Sequence, residues 1–246
     1  MLAEDASQPT TLVVVIGAAG DETYTPVFEQ EVEQWRRIAE ASGAKLHVLG
    51  GEQEQELDEE SDASDKDRLR DMLATETSAG SPESPLWLVL IGHGTFDGRA
   101  AAFNLRGPDV TAAELAQWTK ESNRPLIVID TTASSGPFLT SLSAAGRVVI
   151  TATKSGQERN YARFGRFFAR RVIDPSADLD KDDQTSLFEA FLAVGRDTAE
   201  FYKNDGRIMT EHPLLDDNGD GRGVRVDFFV GEKLAKAVRG DEVADG

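Results

Sequence analysis

Four short runs of consecutive apolar, largely β-branched residues constrain this chain most. They are TLVVVI at Thr11–Ile16, LWLVLI at Leu86–Ile91, LIVI at Leu126–Ile129 and RVVIT at Arg147–Thr151. None alternates apolar with polar residues, so each reads as a strand buried on both faces. KLHVL at Lys45–Leu49 is a weaker fifth. Helical patterns lie between them. Val27–Ala41 sets Val27, Glu31, Trp35 and Ile38 on one face, and Ala112–Lys120 follows Thr111, an N-cap whose partner in a capping box is Glu114. Strand alternating with helix predicts an α/β three-layer sandwich around a mostly parallel central sheet. Ligands of such sheets bind at the carboxyl ends of the strands.

Of the 246 residues, 11–230 read as a single domain behind an N-terminal tail, 1–10. Residues 51–66 form an acidic stretch expected to be a solvated loop, and Ala79–Pro85 a Ser/Pro/Gly linker. Residues 231–246 carry a short amphipathic helical pattern, Glu232–Val238, and a polar tail. With 44 acidic residues and a net charge of −18, nucleic acid is an unfavourable partner. The absence of cysteine excludes disulfides, thiolate metal sites and a cysteine nucleophile. No apolar run approaches the ~20 residues of a membrane-spanning helix, and the first residues lack the basic and apolar regions of a signal peptide.

The segments at the carboxyl ends of the strands are therefore the candidate sites. GAAGDETY after the first strand is neither a Walker loop nor a dinucleotide fingerprint, and Asp21 and Glu22 would repel phosphate, so it reads as a loop lining a cleft. The second strong strand ends in Gly92-His93-Gly94, placing an imidazole beside flexible backbone whose N–H groups suit an oxyanion. The third runs into Asp130-Thr-Thr-Ala-Ser-Ser-Gly136, a turn of small hydroxylated residues.

In this order the motifs resemble the caspase/legumain-like cysteine peptidase superfamily, bacterial legumain-like branch, over roughly residues 11–170. The resemblance implies a His93-centred dyad, with Gly94 helping to form the oxyanion hole. It also implies a cysteine before the Ser135-Gly136 pair, and Ala133 stands at that position. A one-residue shift of the turn, anchored on Asp130, would put Thr132 there instead. The expectation is a catalytically degenerate peptidase domain that binds a peptide or protein in the old cleft. The rival is an active hydrolase with Thr132 or Ser134 as nucleophile, His93 as base, and Asp97 or Asp130 orienting it. The third alternative is a purely structural module.

Two acidic segments lie beyond the region of resemblance. Asp178, Asp180, Asp182, Gln184, Ser186 and Glu189 fall at positions 1, 3, 5, 7, 9 and 12 of an EF-hand calcium loop, with Asp183 where glycine is usual. Helical patterns at Phe164–Val172 and Leu187–Tyr202 flank it. Asp216, Asn218, Asp220 and Gly221 repeat positions 1, 3, 5 and 6, with Asp227 at 12. A strand-like VRVDFFV comes next in place of a helix, and the nearby His212 reads as structural. Calcium is the expected ion. Weak sites of this kind fill outside the cell, which favours an exported protein.

Overall fold

The computed structural model describes residues 9–51 and 63–229. Most of the N-terminal tail, the centre of the acidic stretch and the C-terminal helical pattern lie outside the described residues.

Five parallel strands form the heart of the fold: β1 (Thr11–Ile16), β2 (Lys45–Leu49), β3 (Leu86–Ile91), β7 (Leu126–Asp130) and β8 (Arg147–Thr151). All five match the apolar runs. With β9 (Leu214–Asp216) and β10 (Val224–Arg225) they make a seven-stranded sheet, ordered β10-β9-β8-β7-β3-β1-β2, in which β9 and β10 are antiparallel. A hairpin and a third short strand, β4 (Gly94–Phe96), β5 (Ala101–Phe103) and β6 (Val110–Thr111), form a separate small sheet directly after His93.

Successive strand residues point to opposite faces. Leu12, Val14 and Ile16 join one buried cluster with α1 (Thr25–Ser42), α5 (Phe164–Val172) and α6 (Leu187–Asn204). Val13 and Val15 join the other with α2 (Asp65–Ser78), α3 (Ala112–Trp118) and α4 (Gly136–Leu142). The molecule is thus an α/β sandwich of three layers with a mostly parallel central sheet. The capping box at Thr111 and Glu114 forms as its spacing predicts.

Three local expectations change. The end of the acidic stretch is helical: Ser64 accepts from the Asp67 N–H as an N-cap, and α2 begins at Asp65. That helix buries little more apolar surface than Leu69 and Leu73, so its periodicity was faint. VRVDFFV pairs only at Val224 and Arg225 before a 3-10 turn takes over at Val226–Phe229. The buried stripe of α1 is Phe28, Glu31, Val32, Trp35 and Ala39, rotated slightly from the predicted face.

Candidate functional site at the carboxyl edge of the sheet

β3 and β7 are hydrogen-bonded neighbours, so the His93 turn and the Asp130–Gly136 turn leave the sheet side by side. They touch at Gly94. A methyl group there would collide with the Ala133 carbonyl oxygen and approach Thr132 Oγ1 within 2.5 Å, which explains glycine at this position. His93 Nε2 lies 3.0 Å from the Ala19 carbonyl and, donating to it, leaves Nδ1 as the unprotonated nitrogen of the neutral ring. The imidazole sits among three aromatic rings, with centroids 4.6 Å from Tyr24, 5.4 Å from Phe28 and 5.7 Å from Tyr161. The loop after β1 reaches His93 through the Ala19 carbonyl, and its first N–H groups are used internally: Gly17 donates to the Ile91 carbonyl and Ala18 to that of Asn104.

The hydroxyls of the second turn face inward. Thr132 is fully buried; its hydroxyl donates to Asp130 Oδ1 at 2.7 Å and its N–H to the same oxygen at 3.0 Å. Ser134 is also buried, in the left-handed region at φ 57°, its hydroxyl without a partner among the described residues and its N–H donating to the Glu158 carbonyl at 2.8 Å. Ser135 is tied to Thr153. Burial raises the Asp130 carboxyl to about 6 against the two donations from Thr132, and its second oxygen has no partner among the described residues. Among the described residues, neither hydroxyl nor Asp130 bonds to His93. Asp97 accepts the N–H groups of Arg99 and Ala100 within its own hairpin. The carbonyl of Ala19 is what orients the imidazole.

A buried acidic layer supports the aromatic ring set. Glu31 lies against Thr131 and Gly165; burial raises its carboxyl to about 8, with Arg166 opposing the rise. Burial likewise raises the Tyr161 hydroxyl, with Glu31 adding to the effect. Glu211 is fully buried and closes the start of α5, accepting the Arg163 N–H at 2.8 Å and the Phe164 N–H at 3.0 Å, while Tyr202 donates to it at 2.9 Å. His212 reaches Glu158 through Nδ1 and its own N–H. None of these groups announced itself as part of a site, although Glu31 on an apolar helix face was a visible signal.

The two acidic loops share one backbone skeleton. The first aspartate of each accepts the N–H groups three and five residues on: Asp178 from Lys181 and Asp183, Asp216 from Gly219 and Gly221. The next two ligand positions each accept from two residues on: Asp180 from Asp182, Asp182 from Gln184, Asn218 from Asp220, and Asp220 from Arg222. The residues at the fourth and sixth positions are left-handed in both loops, at φ 65° and 69° for Lys181 and Asp183 and 72° for both glycines. Asp183 thus adopts the conformation that glycine usually supplies.

Asp178, Asp180 and Asp182 offer oxygens within 4.8 Å of one another, close enough for one hard cation to touch all three. Glu189 does not join them. Its carboxylate accepts the N–H groups of Leu179 and Asp180, and Ser186, the N-cap of α6, closes a capping box on it. Those donations hold its carboxyl below the usual range despite burial. Asp216 is buried, Asp220 is exposed, and Asp227 lies in the 3-10 turn, paired at 2.7 Å with Arg225.

No family model and no curated protein matches this chain. Among solved structures, it is similar to Raptor of Chaetomium thermophilum, with a TM-score of 0.43 and 9% identity. The match covers 75% of this chain and 20% of that one, and so distant a likeness bears on neither family nor function.

Proposed function

We propose that this is a caspase/legumain-like peptidase domain that has lost its nucleophile, binds a peptide or protein along the carboxyl edge of its sheet, and holds calcium in its two acidic loops. One observation carries the reading. Ala133, which the resemblance sets in the nucleophile's place, lies in a turn packed against Gly94, and the hydroxyls on either side of it are buried. A hydroxyl nucleophile must give its proton to a positioned base. Thr132 is buried and donates its hydrogen bond to Asp130 rather than to His93, and Ser134 is enclosed by the turn.

The adjacency of the His-Gly turn and the small-residue turn on neighbouring parallel strands supports the resemblance. Partly exposed aromatic side chains beside His93, Tyr24 and Tyr161, support binding of an extended chain along this edge. The shared skeleton of the acidic loops supports calcium, which takes six to eight oxygen ligands and tolerates carboxylate, carbonyl and water together. Loops of this quality fill at ~10⁻⁴–10⁻³ M calcium, a range met outside the cell, in keeping with an exported protein.

The test is cleavage and binding of a fluorogenic peptide library, with millimolar calcium and with chelator, beside His93→Ala. Binding by anisotropy without turnover is expected. Turnover that disappears in His93→Ala would overturn the proposal in favour of a hydroxyl hydrolase.

A further inference from the structure

A cavity of about 300 Å³ is lined by residues away from His93. It opens between α6 and the segments around residues 209–213 and 225–227. Its size is at the lower end of small-molecule pockets. The wall is mainly aliphatic: Ala199, Met209, Pro213 and Val226. Four charged or titratable side chains reach it, and their pairing differs. Arg225 is neutralised by Asp227 at 2.7 Å. His212 is fixed by Glu158, which takes its Nδ1 and its backbone N–H and leaves Nε2 as the ring nitrogen free for the cavity. Arg196 is exposed and has no ion pair or hydrogen bond among the described residues.

We propose that this cavity binds a small amphipathic monocarboxylate, with its aliphatic body against Met209, Pro213 and Val226 and its carboxylate on the guanidinium of Arg196. An apolar pocket with one uncommitted guanidinium suits a ligand with one planar anionic end, because arginine meets a carboxylate with two parallel N–H donors. A polyanion is disfavoured by Asp227 on the rim and by the net charge of −18. A cationic amphiphile would set its charge against Arg196. The carboxylate can come from a free aliphatic acid or from the C-terminus of a peptide ending in apolar residues.

Calorimetric titration of the full chain with octanoate, octylamine, acetyl-Leu-Leu and acetyl-Leu-Leu amide tests this. Saturable binding of octanoate or of the free-acid dipeptide, without binding of octylamine or the amide, is expected. Whichever acid binds more tightly identifies the source. Arg196→Gln should weaken that binding about tenfold or more, the loss of one charge-assisted pair, and Arg196→Lys should lie between. Arg196 is exposed, so both variants keep the fold, which circular dichroism verifies. Failure of both acids to bind, equal binding of octylamine, or unchanged affinity in Arg196→Gln would each overturn the proposal.

Discussion

Thr132 directs its hydroxyl at Asp130, 2.7 Å away, and its N–H at the same carboxylate oxygen. The pair is sealed from solvent, and the carboxylate has no other donor among the described residues. Removing the hydroxyl by Thr132→Val should therefore hurt only the ionised form. The variant should lose about 1–3 kcal/mol at pH 8, well above the Asp130 value of about 6, and much less at pH 5. Urea denaturation at the two pH values reads this; an equal loss at both would mean that Thr132 acts by packing alone.

Glu31 supplies a second pH signature. Its carboxyl is raised from 4.5 to about 8 by burial, so the folded protein keeps a proton that the unfolded chain has lost. Between those values the native state binds more protons, and stability falls as pH rises. Glu31→Gln should flatten that part of the profile. It should be more stable than the parent by on the order of 1–3 kcal/mol at pH 9 and similar to it at pH 4. The shallower fall between pH 3.8 and about 6 that Asp130 contributes should survive in the variant. Parallel unfolding curves from pH 4 to 9 are the check.

Arg124 ties together the amino ends of the strands. Its side chain is 2% exposed; Nε donates to the Ser84 carbonyl, and the terminal nitrogens reach Thr11 Oγ1 at 3.1 Å and the Pro85 carbonyl at 3.0 Å. Glu76 lies 3.8 Å away. Arg124→Met keeps the length but strands these acceptors, and should cost about 3–5 kcal/mol. Thermal unfolding of the variant measures it, and a loss under ~1 kcal/mol would contradict the picture of a buried tie.

Calcium should raise the melting temperature. A ligand at a hundredfold over its dissociation constant stabilises by about 2.7 kcal/mol per site. Asp180→Ala and Asp220→Ala should each remove part of the rise, and the double variant all of it. Magnesium, which demands tighter octahedral geometry, should give less. A melting temperature indifferent to calcium would exclude both loops as sites.

The central strands were legible because a strand buried on both faces must be continuously apolar, as TLVVVI and LWLVLI are. The capping box at Thr111 and the left-handed Asp183 were legible because both are local backbone requirements. Helix α2 was not, because its stability comes from Ser64, from Arg106 bonding to Asp65 and from two buried leucines rather than from an apolar stripe. The inward turn of Thr132 was also hidden. Whether a hydroxyl faces outward or its own aspartate depends on the turn's path, and Gly94, just past the neighbouring strand β3, constrains that path. Tyr161 and Glu211 meet the site only through chain crossings of forty residues or more, which no local spacing encodes.

The acidic loops are already folded by their own N–H groups, with both left-handed residues set and the first aspartates anchored. A cation arriving at the first loop would find Asp178, Asp180 and Asp182 already gathered, while Glu189 and Asp227 are held by other partners. With a cation bound, such a loop would act as a rivet, slowing fraying between α5 and α6 and behind β9 while passing little movement to the His93 turn. The response of this protein to calcium should accordingly be one of endurance, seen in resistance to heat and proteolysis, while the shape of the His93 cleft stays the same.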